Sequence, residues 1–185
     1  MNSSSFYKPP AQVLASAVKT HPNFPVAGVM FKDIWPLLAD PVLFRLLLEE
    51  LVAQTQAFAP LTHVAGIESR GFILAHAVAQ ELRLPFIPIR KPGKLPGQVE
   101  HSAYTLEYGH SALEMQTGAL PAGARCLLVD DVLATGGTAL AAAKLVKKMH
   151  AVPAGLLVVG EVAGLGGRQL VMQDAHLEVA AVLGF

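Results

Sequence analysis

The sequence predicts an α/β fold, a central and mostly parallel β-sheet flanked by helices. Three observations carry this. Short apolar runs alternate with helical patterns along the chain. The runs at 63–67, 86–89, 125–129, 156–159 and 177–182 are largely continuous, which marks strands buried on both faces. The clearest of them, 125–129, leads into a glycine-rich turn that opens a helix. A length of 185 residues fits one domain, and 52% apolar against 15% charged residues supplies its core.

Taken in order, residues 1–10 carry no apolar core and read as a frayed tail rather than a secretory leader. Val13, Leu14, Ala17 and Val18 share one side of a short helix over 11–19. Asn23-Phe-Pro-Val-Ala-Gly28 excludes a helix, because Pro25 and Gly28 punctuate it. Asp40-Pro41 supplies a cap and a first-turn proline for a helix bearing Leu43, Leu46, Leu47, Glu50 and Leu51. Leu74, Val78 and Leu82 recur every four residues and predict a helix over 71–82. Another is expected over 139–149. Residues 91–103 contain Pro92, Gly93, Pro96 and Gly97, and the segment is long for a connection in a compact domain. It reads as disordered or as a functional lid. Residues 103–115, centred on Gly109, read as a β-hairpin beside it.

Composition excludes several classes. Fourteen basic residues balance fourteen acidic ones, which argues against a nonspecific nucleic-acid binder. The single cysteine, Cys126, rules out an intrachain disulfide and a multi-cysteine metal centre. It lies in an apolar strand and reads as an inert buried thiol. The seven histidines form no metal pattern, and His101 and His110 read as solvated neighbours of the hairpin. Lys144, Lys147 and Lys148 read as the wet face of their helix. No run reaches the roughly 18 apolar residues of a membrane helix, so a cytoplasmic protein without membrane or nucleic-acid partners is expected.

The chemistry concentrates in Leu127-Leu-Val-Asp-Asp-Val-Leu-Ala-Thr-Gly-Gly-Thr138. Two carboxylates, Asp130 and Asp131, stand where a parallel sheet presents its C-terminal strand ends to a ligand, and they can accept hydrogen bonds from vicinal hydroxyls. Beyond them, the N–H groups of Ala134, Thr135, Gly136, Gly137 and Thr138 can turn toward one phosphate at a helix N-terminus. Thr135 and Thr138 add hydroxyl donors. A polyol at one end and a phosphate at the other describe a ribose 5-phosphate. Neither G-x-x-x-x-G-K-[ST] nor a strand-borne G-x-G-x-x-G is present, so the common nucleotide-binding loops are excluded.

This run resembles the phosphoribosyl-diphosphate signature of type I phosphoribosyltransferases. Phe24-Pro-Val-Ala-Gly-Val-Met-Phe-Lys-Asp-Ile34, Gly66-Ile-Glu-Ser-Arg-Gly-Phe72, Arg90-Lys-Pro-Gly-Lys-Leu-Pro-Gly97 and Tyr104-Thr-Leu-Glu-Tyr-Gly109 resemble the adenine branch, in the same order. The resemblance runs from Phe24 to about Arg168. It implies the type I phosphoribosyltransferase fold over 1–185 as a single domain, with a tail and base-binding hood at 1–35 and a flexible lid and hairpin at 91–115. It implies transfer of the 5-phosphoribosyl group from phosphoribosyl diphosphate (PRPP) to adenine. It also implies AMP and diphosphate as products, purine salvage as the setting and a homodimer as the working form. The alternatives are a transferase for another purine and a non-catalytic PRPP-binding regulator.

The same resemblance implies residue roles. Glu68, Ser69, Arg70, Arg90, Lys91 and Lys94 would hold diphosphate, with a non-proline cis peptide at Glu68–Ser69. Arg70 would also serve catalysis. Val29, Met30, Phe31 and Lys32 would bind adenine, Phe31 stacking on one face and Val162 covering the other. Ala134 cannot exchange a proton, so the acid–base role at purine N7 would fall to Glu107, with Tyr108 beside it. Mg2+ would be held mainly through PRPP, with no dedicated protein metal site. Two departures stand out: Lys32 replaces the family's usual arginine and loses its planar fork, and Ala27 replaces a common proline.

Overall fold

The computed structural model describes residues 9–106 and 109–185, with side chains except at 104–106 and 109–110. Two compact units divide between Glu50 and Leu51.

In the N-terminal unit, α1 (Pro10–Ala17) starts on a proline and buries Leu14. An antiparallel pair follows, β1 (Lys19–Pro22) with β2 (Met30–Asp33), registering His21 on Phe31. The sequence does not predict this pair, because β1 is polar and exposed throughout and β2 is only four residues long. Helix α2 (Trp35–Ala39) buries Leu37. Asp40 then caps α3 (Pro41–Gln54) as expected: its Oδ1 accepts the N–H groups of Val42 and Leu43 at 2.8 and 3.0 Å.

The C-terminal unit is built on five strands: β3 (His63–Ile67), β4 (Phe86–Ile89), β7 (Arg125–Leu133), β8 (Val152–Glu161) and β9 (Val179–Gly184). Their order is β4-β3-β7-β8-β9 and every pairing is parallel. Residues 126–129 and 156–159 are fully buried, which explains their unbroken apolar composition. Helix α4 (Arg70–Leu82) sends Leu74, Ala75, Val78 and Ala79 into the interior. Helix α5 (Gly137–Lys148) buries Ala141, Ala142, Ala143, Leu145 and Val146 and leaves Lys144, Lys147 and Lys148 exposed. Helix α6 (Gly167–Ala175) joins the same core through Val171 and Ala175. It was not foreseen, since those two positions are its only apolar side chains that are fully covered.

The antiparallel hairpin of β5 (Val99–Leu106) and β6 (Gly109–Gln116) packs Leu113 and Met115 into that core. It starts at Val99, four residues before the expected Ala103, which shortens the connection from β4 to residues 90–98. Strand β7 also runs further than expected, through both aspartates to Leu133. Val132 and Leu133 still pair with Gly160 and Glu161 of β8.

Candidate active site

The C-terminal ends of β4, β3, β7 and β8 lie side by side, and the chain order reverses between β3 and β7. An open parallel sheet offers its ligand crevice at such a reversal. Segment 68–70 leaves β3 there, and Asp130 and Asp131 stand on β7.

The two aspartates are not equivalent. Asp131 is buried, and Arg70 Nε donates to its Oδ2 at 2.5 Å. Asp130 is half-buried, and its Oδ1 accepts the N–H of Asp131 at 2.8 Å. Burial pushes the Asp130 carboxyl well above the usual carboxylate range, and the neighbouring Asp131 charge and side chain push it further. The Asp131 N–H and the Arg70 charge offset this only in part. Arg70 therefore neutralises one carboxylate and leaves the other poised at the crevice. Asp130, Ala134, Thr135, Gly136 and Thr138 line a pocket of about 80 Å³.

The turn at 134–136 follows from its glycines. Gly136 caps α5 at φ +88°, in the left-handed region. Gly167, opening α6, lies so close that a Cβ there would sit 2.1 Å from the Ala134 carbonyl oxygen. Among the described residues, no protein acceptor takes the N–H of Thr135, Gly136, Gly137 or Thr138. These are the first-turn donors that a helix cannot satisfy internally, and they carry its positive dipole end. Sequence reasoning missed Gly167; the paired Gly166-Gly167 before a helix was the available signal.

Segment 68–70 ties Asp131 on β7 to the basic loop after β4. The Glu68–Ser69 peptide is cis. Glu68 Oε2 accepts from Arg90 Nε at 3.2 Å and from the Lys91 N–H at 3.0 Å. Burial raises the Glu68 pKa, but the Lys91 N–H and the Arg90 and Lys91 charges outweigh it and hold the carboxyl below its ordinary range. Arg90 Nη1 donates to the Lys94 carbonyl at 2.9 Å. The Arg90 guanidinium is thus engaged within the protein, whereas the side chains of Lys91 and Lys94 are exposed. Within three residues, Glu68 reaches one candidate segment and Arg70 the other.

Of the remaining sequence candidates, Ser69 is exposed and Val162 is half-buried just past β8, its N–H bonded to the Leu133 carbonyl at 2.9 Å. In the N-terminal unit, the Phe31 ring meets Phe24 edge-on at 5.1 Å, Met30 is exposed, and Lys32 Nζ donates to Thr20 Oγ1 at 3.1 Å. Val29 closes the 23–29 turn, its N–H donating to the Val26 carbonyl and its carbonyl accepting from Phe24. Glu107 and Tyr108 lie outside the described residues. Cys126 is fully buried, and burial pushes its thiol up to about 12, an unreactive state.

Residues 45–162 match the phosphoribosyl transferase domain family. The chain is 47% identical to the adenine phosphoribosyltransferase of Synechococcus sp. (strain JA-3-3Ab) over 91% of its own length and 97% of the relative's. It also superimposes on the crystal structure of adenine phosphoribosyltransferase from Rhodothermus marinus DSM 4252 with a TM-score of 0.88 and 43% identity, covering 95% of this chain and 98% of that one. The Saccharomyces cerevisiae adenine phosphoribosyltransferase, complexed with an imino-altritol bisphosphate and adenine, matches with a TM-score of 0.87 at 36% identity, covering 94% and 98% of the two chains.

Proposed function

The chain belongs to the phosphoribosyltransferase family, among its adenine phosphoribosyltransferases, and from that membership we propose which residues carry the reaction. The enzyme transfers the 5-phosphoribosyl group of PRPP to adenine in purine salvage, giving AMP and diphosphate. N9 of the base bonds to C1 of the ribose as the bond from C1 to the diphosphate oxygen breaks. Positive charge develops on the sugar and negative charge on the leaving group, so the protein's work is to orient, neutralise and exclude water.

The 5-phosphate sits against the N–H groups of residues 135–138, with the Thr135 and Thr138 hydroxyls as further donors. Asp130 accepts from the ribose hydroxyls. The observation that supports this most is the pairing of Asp131 with Arg70, which leaves Asp130 as the carboxylate at the pocket. Lys91 and Lys94 face the diphosphate, and Ser69 offers a hydroxyl beside them. Arg90 and Glu68 act there chiefly by holding the backbone of that loop. Val29, Met30, Phe31 and Lys32 read adenine, and Val162 supplies an apolar contact to the ring. Glu107 accepts the proton from N7 as N9 uses its lone pair, with Tyr108 beside it.

Magnesium is assigned to the substrate. Among the described residues no three His, Cys, Asp or Glu side chains gather to hold a metal ion, and Arg70 already occupies Asp131. When bound, the cation would be held mainly through PRPP oxygens and would offset the charge of the diphosphate. No described helix is long and apolar enough to cross a membrane. A cytoplasmic homodimer is the proposed working form.

Purified protein supplied with magnesium, PRPP and labelled adenine should form AMP, with hypoxanthine and guanine competing weakly. Absence of AMP overturns the assignment. Glu107→Gln should lower kcat by about 10²–10³ with little change in either KM. Full turnover in that variant would remove the proton role from Glu107.

A further inference from the structure

We propose that Glu114 is a positioning residue for the diphosphate: its carboxylate fixes the turn that carries Lys91 and Lys94. This deepens, and rests on, the assignment of those lysines to diphosphate.

Glu114 lies on β6 and is only 4% exposed. A buried carboxylate is costly unless its oxygens find partners. Both do. Oε2 accepts the N–H of Gly93 at 2.9 Å, and Oε1 lies 3.2 Å from Nδ1 of His101, its partner across the hairpin. The backbone of Glu114 is engaged as well. It accepts from the Arg90 N–H at 2.9 Å and donates to the Arg90 carbonyl at 2.7 Å. One residue therefore grips the loop twice, at Arg90 through its main chain and at Gly93 through its side chain.

Glu68 grips the same loop independently, at Arg90 Nε and at the Lys91 N–H, and Arg90 closes it by donating to the Lys94 carbonyl. All these contacts go to backbone groups or to Arg90. Both side chains are exposed, and the Lys91 charge is felt within the protein by the Glu68 carboxyl. The result is a turn with a fixed main chain and outward cations. Gly93 sits in the left-handed region at φ +76°, a conformation set by the turn that Glu114 holds. A loop ordered before the anion arrives loses less conformational entropy on binding, so the carboxylate acts on affinity without touching the ligand. A charged acceptor also makes the stronger bond to an N–H.

The test is steady-state kinetics with PRPP and adenine varied separately, with free diphosphate as a product inhibitor. Glu114→Met removes both side-chain contacts at similar volume. It should raise the KM for PRPP and the inhibition constant of diphosphate about tenfold, while the KM for adenine stays within about twofold. Glu114→Asp keeps the charge but withdraws it by one methylene from Gly93. It should show the same split, and it serves if the methionine variant fails to fold by circular dichroism. Glu114→Gln retains an oxygen for the Gly93 N–H and should recover PRPP binding to within about threefold. Lys94→Ala is the control for the underlying assignment. If Lys94→Ala weakens PRPP binding while neither Glu114→Met nor Glu114→Asp does, the positioning role is overturned and the lysine assignment stands. If Lys94→Ala has no effect either, both fall. An equal rise in both substrates' KM, or a loss confined to kcat, would mark Glu114 as a general structural residue and overturn the proposal.

Discussion

Two segments of the C-terminal unit are suited to anions by opposite means. Residues 134–138 carry no charged side chain and present main-chain N–H groups at the start of α5. Residues 90–94 carry two exposed cations, Lys91 and Lys94, while Glu68 and Glu114 hold the main chain there and Arg90 is itself engaged with Glu68 and the Lys94 carbonyl. In the first segment the donors are the backbone itself, so the turn that forms it also aims it. In the second the donors are mobile, so aiming them takes partners from β6 and from the turn after β3. The first should therefore fail by steric intrusion, the second by loss of charge.

Steric intrusion gives the largest expected effect. In Gly167→Ala, the new Cβ would meet the Ala134 carbonyl at 2.1 Å, and backbone must shift to relieve it. The kcat/KM for PRPP should fall at least about 100-fold, near 2.7 kcal/mol of transition-state stabilisation. Circular dichroism should still report a folded sheet. An active Gly167→Ala enzyme would show that the 134–136 turn tolerates movement.

Asp130→Asn comes next and separates binding from stability. The folded Asp130 pKa is raised, so the native state holds its proton more tightly than the unfolded chain does. That contribution is fully present below the unfolded value near 4, and it is lost as pH rises toward the folded value. At pH 7 the ionised group is therefore a burden, and the asparagine variant should melt at a higher temperature than the parent. The advantage should shrink as pH falls toward 4. The same variant should lower kcat/KM for PRPP by about 10- to 100-fold, because a neutral amide is the weaker partner for hydroxyls. Melting scans across pH 4–8 with paired kinetics check both halves. A variant that melts lower at pH 7 would contradict the account of Asp130.

The smallest effect belongs to Glu68→Gln. The native Glu68 pKa is lowered, so its contribution is present above the ordinary value of 4.5 and fades as pH falls through the folded one. The variant should melt about 1–3 °C below the parent at pH 7, as expected for a partly exposed ion pair. The difference should close on acidification below about 4.5. A difference that persists unchanged at low pH would mean Glu68 acts by shape, not charge.

Much of the fold is legible in the sequence. The five sheet strands were expected at 63–67, 86–89, 125–129, 156–159 and 177–182, and all five form with shifts only at their ends. Long apolar runs broadcast their burial. What escapes is short or polar: the β1–β2 pair, four residues a strand with β1 wholly exposed, and α6, which shows the core little more than Val171 and Ala175. In the candidate site, the turn at 134–138 is readable because turn, glycine and helix start are contiguous. Glu114 is not, since an acidic residue on a strand gives no hint that it faces a loop twenty-one residues away.

The chain's own order of residues determined the parallel sheet and the uncharged glycine turn that opens α5, because both depend on local pattern and on backbone freedom at adjacent positions. Only the tertiary structure decided which of two neighbouring aspartates stays available, and which acids hold the basic loop. Asp130 and Asp131 are chemically identical in sequence. The difference between them comes from Arg70, sixty-one residues away and brought beside Asp131 by the pairing of β3 with β7. Charge pairing acts through space at a few ångströms, and no sequence pattern encodes that distance.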